Sequence, residues 1–321
     1  GGPLWKDRAW LWGSYARNQV DLITVAGTSD KTTLEDARLK LNLQLTDSTS
    51  ATGSYTQGDK IKLGRNSGVT RPPEAAWNQS GFNKHPSALD KVELSQVVSS
   101  KLFLTGSYSY FRGGFQLAPV GGRSVTNVYE DANGVWHNSY LNFITQRPSN
   151  IVTATGSYFF NTGTVGNELK FGFSYRKAGV NSSSSWPGNG NYGLLDPYAN
   201  GKNVAVLTRA SSTKGQLQYY DGYAGDVITF GNATINAGVR YDVQSGYNQG
   251  ASTAANPIIP DILPALNGSN EAKQFEWKNW QPRVGVTYAL GDAKKLLLKA
   301  SYAKFADALG APQVFHDNAN S

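Results

Sequence analysis

Several segments of this chain alternate apolar and polar residues with a period of two, and the segments that join them alternate in length. Leu39, Leu41 and Leu43 are interleaved with polar residues, and so are Leu169 and Phe171. Successive side chains of a β-strand point to opposite faces, so each segment has one apolar and one polar face. Short polar turns follow one end of these strands and long Gly/Ser/Asn-rich segments the other, which is typical of outer-membrane barrels. The pattern predicts an all-β fold, an antiparallel up-and-down transmembrane β-barrel.

Composition is compatible with a membrane barrel even though the chain is polar overall. The mean hydropathy is -0.42, and no apolar run approaches the roughly 18 residues of a membrane-spanning helix. A barrel strand needs only about 9–11 alternating residues, so it leaves little trace in hydropathy. The 17 Tyr, 13 Phe and 8 Trp suit the aromatic girdles of such a barrel.

Turn-forming residues divide the chain into roughly eleven predicted strands. We expect a loop from about Arg17 to Thr32 after the first strand. The short turns are predicted at 6–8, 46–49, 99–101, 162–164, 231–232 and 291–294, and should face the periplasm. The long segments 64–87, 112–135, 181–203 and 245–278 should lie outside the cell.

A soluble β-sandwich or propeller, for example a carbohydrate-binding protein, shows the same alternation with its polar face in water. Three observations favour the barrel. The long connections lie on one side, aromatic residues such as Trp10, Trp12, Tyr108 and Tyr158 stand near strand ends, and the strands exceed the usual length of about 5–6 residues.

The ends of the chain predict that it is a piece of a larger protein. It has no methionine, begins at Gly1 and carries no charged segment followed by an apolar one at its start. We therefore expect residues 1–321 to be a partial barrel domain, with any export signal outside it. The absence of cysteine excludes disulfides and thiolate metal sites from these residues.

Five stretches, taken together and in order, resemble TonB-dependent outer-membrane receptors of the Oar-like type. They are GGPLWKDRAWLWGSY at 1–15, GNELKFG at 166–172, QYYD at 218–221, AGVRYD at 237–242, and QPRVGVTY at 281–288 with KASY at 299–302. Asn167 stands where the family more often has histidine. Each motif alone occurs in many barrels, but their order and spacing match along nearly the whole chain.

The resemblance implies a barrel of about 22 strands, of which this chain is about half, in the outer membrane of a Gram-negative bacterium. It implies a receptor or transporter, not an enzyme, for a scarce or bulky solute. A plug domain, the TonB-contacting segment and the closing strands would lie outside the chain. The implied partners are outer-membrane lipid and lipopolysaccharide, the TonB energy-transducing complex acting through the plug, and an extracellular ligand. A porin-like or adhesion barrel without energy coupling is the alternative.

Residues in the long external segments are the candidate ligand contacts, because an exposed ring either packs or binds. Packing of one loop on another is the competing explanation for each. The aromatic candidates are Trp77, Trp136, Trp186, Tyr192, Tyr198 and Tyr247, and two arginines, Arg112 and Arg123, join them.

Basic residues alternate into the polar face, and the formal net charge is +7. They predict either an electropositive lumen that attracts anionic substrates or accommodates lipopolysaccharide, or cations paired with acidic groups of the plug and neighbouring strands. The predicted lumen-facing residues are Arg38, Lys40, Lys170, Arg176, Arg240, Arg283 and Lys299.

Other chemistry has little support in the sequence. Residues 188–193 match G-x-G-x-x-G, but no strand–helix unit surrounds them, which disfavours a phosphate site. His85, His137 and His316 are far apart and lack a second ligand nearby, so no metal site or cofactor is predicted. No basic run with interleaved aromatics indicates nucleic-acid binding, and no catalytic motif stands out.

Overall fold

A computed structural model describes residues 1–195, 202–268, 272–291 and 295–310. These residues form strands and two short 3-10 turns, Pro73–Ala75 and Phe82–Lys84. The strands are β1 (Gly2–Trp5), β2 (Ala9–Ile23), β3 (Ser29–Thr46), β4 (Thr49–Arg65), β5 (Trp77–Gly81), β6 (Ser87–Val97), β7 (Leu102–Arg112), β8 (Gly114–Pro119), β9 (Tyr129–Glu130), β10 (Trp136–His137), β11 (Asn142–Gln146), β12 (Ser149–Thr162), β13 (Val165–Ser185), β14 (Asn191–Leu195), β15 (Asn203–Leu207), β16 (Ser211–Phe230), β17 (Ala233–Gln249), β18 (Ser252–Thr253), β19 (Leu266–Asn267), β20 (Ala272–Leu290) and β21 (Leu296–Ala303).

Eleven long strands form one antiparallel meander in which each pairs with the next. Their order is β2, β3, β4, β6, β7, β12, β13, β16, β17, β20 and β21. β1 pairs with β2 at one edge. The all-β class, the up-and-down topology and the strand number predicted from the sequence are confirmed.

The lower end of the meander carries the short turns that the sequence predicts. β3 ends at Thr46 and β4 begins at Thr49. The same close succession occurs after Thr162 and after Phe230. The turn predicted at 291–294 lies mostly outside the described residues. These turns are short because consecutive antiparallel strands need only a tight reversal.

At the upper end parts of three predicted loops prove to be strand, and one of these is 245–278, whose two ends belong to β17 and β20. β2 continues to Ile23 and β3 starts at Ser29, so the loop expected up to Thr32 is a short hairpin turn in which the hydroxyls of Thr24 and Thr28 lie 2.6 Å apart. The serine run at 182–185, expected to be loop, belongs to β13 and pairs with both β11 and β16. Strands on both sides supply hydrogen bonds to the backbone amides and carbonyls of this segment, although serine does not favour the strand conformation.

Cross-strand register shows that the alternation is consistent across the whole meander, since residues directly opposite each other share a face. One face, hereafter the apolar face, carries Leu11, Leu39, Leu41, Val92, Leu94, Tyr108, Val152, Phe171, Phe173, Val239, Val284, Val286 and Leu298. The other, the polar face, carries Arg38, Lys40, Thr52, Glu93, Ser107, Thr153, Arg176, Asp221, Arg240, Arg283 and Lys299. Trp10 and Trp12 pair with Asn42 and Lys40, so they lie on the polar face.

The apolar face is not covered by protein. Among the described residues the buried apolar side chains are seven alanines, Leu117 and Val128, while Leu39, Phe173 and Val284 are nearly half exposed. A soluble sandwich would bury such side chains between its two sheets. No helix in the described part of the chain is long and apolar enough to cross a membrane.

Candidate functional site

The upper segments between β8 and β16, which the sequence predicts to be external, form a small sheet of their own. Its order is β10, β9, β14 and β15, and β9 and β14 run parallel. Val128, which is 2% exposed, precedes β9, and its carbonyl accepts from the Gly193 amide at 2.8 Å. The Gly188 amide donates to the carbonyl of Arg123 at 2.7 Å. These contacts hold two external segments against each other.

Five rings from three external segments meet beside this sheet and form what we call the aromatic cluster: Trp77, Trp136, Tyr140, Trp186 and Tyr192. Trp186 stacks on Trp136 with ring centroids 5.0 Å apart and lies 4.3 Å from Tyr192. Tyr140 lies edge-on to Trp77, Trp136 and Trp186 at 5.1, 4.9 and 5.3 Å. Each ring is only half-buried, so the cluster keeps ring surface open to a ligand.

Arg71 extends the aromatic cluster with a positive charge. Its guanidinium carbon lies 4.5 Å from the ring centre of Trp77 and 3.8 Å from that of Tyr140. Such cation–π contacts hold the group in place. Its Nη1 is buried and has no hydrogen-bond partner in the described part of the chain. Because an unpaired buried donor costs about 1–3 kcal/mol, an anionic group at this nitrogen would be favoured.

Backbone contacts fix the position of this arginine relative to the rings. The Gly68 amide donates to the carbonyl of Arg71 at 2.7 Å, which closes a tight turn. The Trp136 amide donates to the carbonyl of Thr70 at 3.0 Å. The indole nitrogen of Trp77 donates to the carbonyl of Leu141 at 2.5 Å. The site is therefore preorganised by main-chain hydrogen bonds as well as by ring packing.

Two groups near the cluster have shifted pKa values. Burial raises the pKa of the Tyr192 phenol, which stays neutral and able to donate. The hydrogen bond from His137, together with the amides of Val135 and Asn133, lowers the pKa of Asp131. His137 also stacks on Tyr129 at 4.4 Å. The Asp131 carboxylate therefore stays ionised and ties the turn before β10 to that strand.

The structure brings four of the eight predicted ligand contacts together, namely Trp77, Trp136, Trp186 and Tyr192. Sequence reasoning missed Tyr140 and Arg71. Tyr140 follows Trp136 in an aromatic-rich segment, which is a weak signal, whereas nothing near Arg71 in the sequence connects it to these rings. Their proximity depends on contacts between segments far apart along the chain.

The other four predicted contacts lie elsewhere. Arg112 ends β7, shares the register of the apolar face and pairs with Asp90 at 3.0 Å. Arg123 is exposed, and its carbonyl accepts a hydrogen bond from the Gly188 amide. Tyr247 belongs to β17 rather than to a loop. Tyr198 lies outside the described residues.

The seven basic residues predicted for the lumen all share the polar face. Lys170 pairs with Glu168 at 3.3 Å, and the Arg283 guanidinium lies 4.8 Å from the ring of Phe305. Within the described ranges no ion pair involves Arg38, Lys40, Arg176 or Lys299. Pairing with neighbouring strands thus accounts for only some of the cations.

Arg240 joins a buried polar network that the sequence motifs mark but do not explain. Its Nη2 lies 3.1 Å from Asp221 and donates to the Tyr219 hydroxyl at 2.7 Å. Asp242 is fully buried opposite Asp221 and accepts hydrogen bonds from the Gln281 and Asn279 amides. Asp221 and Asp242 are the last residues of the motifs QYYD and AGVRYD, which carry the family resemblance. The network links β16, β17 and β20 across the polar face.

The remaining motifs carry no site. Gly188 and Gly190 have positive φ in the turn that precedes β14, and a strand follows this turn. A phosphate site of the G-x-G-x-x-G type needs a helix there. In the described part of the chain no group of three His, Cys, Asp or Glu side chains is placed to hold a metal ion.

A sequence comparison decides the family. The model of the TonB dependent receptor-like β-barrel matches residues 12–321. The chain belongs to this family. Its location is the bacterial outer membrane, and the family consists of receptors and transporters rather than enzymes. The resemblance that the sequence motifs carry is thereby confirmed. No curated protein matches the chain.

Solved structures agree with the family at the level of the fold. The outer-membrane transporter YddB from Escherichia coli matches with a TM-score of 0.56 and 12% identity, over 92% of this chain and 44% of its own. The copper transporter OprC matches with a TM-score of 0.55 and 11% identity, over 94% and 42%. The siderophore receptor PiuA from Acinetobacter baumannii matches with 0.52 and 13%, over 88% and 43%. This receptor barrel thus spans less than half the length of these proteins.

Proposed function

We propose that this barrel is part of a TonB-energised receptor that binds a bulky solute at its external loops and admits it across the outer membrane. The observation that carries the proposal is the aromatic cluster with Arg71, which combines open ring surface with an unpaired buried nitrogen. Similar proteins of known structure are transporters or siderophore receptors by name, which supports uptake as the role.

The cluster also supports a chemical class for the solute. Rings that stand edge-on and stacked at 4.3–5.3 Å offer planar surfaces on which another ring can stack. The guanidinium of Arg71 adds a donor for an anionic oxygen. We therefore propose a solute that carries both a planar ring and a negative charge. The basic residues of the polar face beneath the cluster would favour passage of a negatively charged solute.

Tryptophan fluorescence of the complete protein in detergent tests this solute class, because three indoles lie in the cluster. A ferric catecholate chelate offers rings and negative charge, ferric citrate offers negative charge without a ring, and Cu²⁺ offers neither a ring nor a negative charge. We expect quenching with the catecholate at lower concentration than with citrate, and none that saturates with Cu²⁺. Equal response to all three would contradict the proposed solute class.

Variants connect the response to the cluster. Trp186→Ala removes one of the rings that contact three others and should weaken catecholate binding by about tenfold or more, as is usual for a central aromatic contact. Tyr247→Ala is the matched control, because this ring stands in β17 and lies outside the cluster. An unchanged affinity in Trp186→Ala would mean that the rings only pack loop on loop.

Uptake by whole cells tests the energy coupling. Cells that lack the TonB protein should bind the solute at the surface and fail to accumulate it. Accumulation without TonB, or a gene without a plug domain upstream of Gly1, would indicate the porin-like alternative. Surface binding without any uptake would favour an adhesion role.

A further inference from the structure

Three cavities follow one another along β13, β16 and β17. The upper cavity, of about 280 Å³, is lined by Arg176, the middle one, of about 540 Å³, by Lys170, and the lower one, of about 520 Å³, by Glu168. Arg240 lines both the upper and the middle cavity, and Val227 lines both the middle and the lower one. The three cavities therefore form one continuous depression, which we call the groove.

The groove opens on the polar face. Lys170, Arg240 and Arg283, which share that face, line the middle cavity. Leu169 and Phe171, the neighbours of Lys170 on the apolar face, do not line it. The polar face of an outer-membrane barrel lines its interior. The groove therefore runs along the inner side of the wall.

The groove is as long as the membrane-spanning part of the wall. Gly166 and Thr229, which pair with each other, line its lower end. Arg176, Tyr219 and Gln244, which lie in one row, line its upper end. Ten residues of β13 separate the two levels, which at a tilt of about 45° is roughly 24 Å, close to the apolar band of about 25 Å.

Glycines form the floor of the middle cavity. Gly225 and Gly238 lie directly opposite each other on β16 and β17. A Cβ at Gly238 would lie 3.0 Å from the Cα of Gly225, so a side chain there requires a shift of the backbone. Tyr223, whose ring lies against Gly172, stands beside this floor. Bare backbone next to an exposed ring is a surface on which a planar group can lie.

Cations lie at the surface of the groove, and their carboxylate partners lie beneath it. The Asp221 side chain is 3% exposed, whereas that of Arg240, its partner, is 32% exposed. Lys170, Arg176 and Arg283 are exposed. An anion that enters the groove therefore meets ammonium and guanidinium groups before it meets a carboxylate.

A segment that follows β21 covers the upper end of the groove. β21 pairs with β20 up to Ala303, and the Lys304 amide still donates to the carbonyl of Pro282 at 3.0 Å. The chain then leaves the wall, since Phe305 lies on the guanidinium of Arg283 at 4.8 Å. Residues 304–309, hereafter the strap, cross β20 on the polar face and reach β17.

One side chain of β17 holds the strap. The amide nitrogen of Gln244 donates to the carbonyl of Asp307 at 2.9 Å, and the Leu309 amide donates to the oxygen of Gln244 at 2.7 Å. The amide nitrogen of Gln244 also donates to Asp242 at 3.2 Å, which fixes its orientation. Gln244 is 2% exposed beneath the strap. Two hydrogen bonds to one side chain are a latch that can open without disturbing the strand ladder.

We propose that the groove is the route of the solute through the barrel and that the strap closes its upper end. The proposal rests on the uptake function proposed above and adds a route to it. The anionic group of the solute would pass from Arg176 to Arg240 and on to Lys170 and Arg283, while its ring rests on the bare backbone beside Tyr223. The strap lines the same cavity as the first two arginines, so it has to move before the solute enters.

Fixing the strap to the wall tests whether it moves. Residues 1–321 contain no cysteine, so Gln244→Cys/Leu309→Cys in the complete protein can be joined by a short, reducible bifunctional thiol reagent. Cells that make this variant should take up the ferric catecholate chelate before treatment, lose TonB-dependent uptake after it, and regain uptake on reduction. Surface binding of the chelate should be unchanged, because the aromatic cluster does not include the strap.

Each single cysteine variant, treated with the same reagent, is the matched control and should keep its uptake. Undiminished uptake by the joined protein would overturn the strap as a gate, and an equal loss in a single variant would count against it as well. An absence of uptake in wild-type cells would refute the transport function itself, so the two failures are distinguishable.

Charge variants test the route and decide the question if the cysteine pair fails to fold. Arg176→Gln/Arg283→Gln should lower uptake of the chelate by about tenfold, because it removes two exposed cations from the groove. Arg38→Gln/Lys40→Gln removes the same charge from β3, outside the groove, and should lower uptake by no more than about twofold.

The contrast between the two charge variants carries the result. Equal uptake in both would overturn the groove as the route, whether both lose it or both keep it. Unfolding in urea is the companion measurement. A lower midpoint for Arg176→Gln/Arg283→Gln alone would mean that these arginines hold the structure together, and it would overturn their role in passage.

Discussion

Replacing Leu41 by arginine should destabilise the barrel far more than the same replacement at the adjacent Asn42. Leu41 lies five residues before the end of β3 at Thr46. At about 3.4 Å per residue and a tilt of about 45° it stands roughly 12 Å above the lower turn, the middle of an apolar band about 25 Å tall. Its cross-strand neighbours are Leu11 and Gly53, which offer no anion to a guanidinium.

The cost at Leu41 should be about 2–4 kcal/mol, the value for a charge at the midplane of a barrel wall. Asn42 points to the polar face, where its neighbours are Trp10 and Thr52. Its side-chain oxygen accepts a hydrogen bond from the Thr52 hydroxyl at 3.1 Å. Arginine at this position should therefore cost only that bond, about 1 kcal/mol.

Equilibrium unfolding of the complete protein in liposomes measures both values, and Leu41→Ala serves as the control for lost side-chain volume. Circular dichroism in plain buffer is the companion measurement, because a membrane barrel should acquire its β-signal only with lipid or detergent. Equal costs at the two positions would show that the apolar face does not meet lipid. Full β-structure in buffer would show the same.

Three more predictions follow from the same structure. Because the chain has no cysteine, Asn189→Cys should react with a membrane-impermeant thiol reagent on whole cells and Asp47→Cys should not; the reverse would invert the topology. Gly156→Val should cost about 1–3 kcal/mol by overpacking, since a Cβ there would meet the Phe171 ring at 2.5 Å, and an unchanged stability in urea would contradict this. Asp131 has a lowered pKa, so above about pH 4 its carboxylate should accept hydrogen bonds from the Asn133 and Val135 amides and protect them from hydrogen exchange. This protection should be lost as the pH falls through the pKa that Asp131 has in the folded protein; unchanged hydrogen exchange in Asp131→Asn would refute that role.

The alternation of side chains was enough to predict the all-β class and the two faces of the wall. The placement of Leu39 and Arg38 on different faces is a local property, because a strand points adjacent side chains to opposite sides. The short turns at 47–48 and 163–164 were equally readable because their residues favour tight reversals. The family resemblance added the outer membrane and the receptor class to these local inferences.

The external region was predictable only in part. Trp77 and Trp186 were candidates from their position in external segments, but Arg71 was not, and Tyr247 proved to stand in a strand. The serines at 182–185 resemble a flexible loop and yet continue β13, because neighbouring strands supply hydrogen bonds on both sides. Local preference is weak for such residues, so tertiary pairing decides.

By itself, the sequence determined which residues share the apolar face, how many long strands the meander has and at which end the turns are short. Tertiary structure alone decided that Trp77 and Trp186, more than a hundred positions apart, both contact Tyr140, and that Arg71 lies over the rings of Trp77 and Tyr140. It also decided that three cavities join into a groove along β13, β16 and β17. The physical reason is the range of the interactions. Periodicity and turn chemistry act over a few residues, whereas ring clusters and wall cavities depend on the register of strands that are distant in the chain.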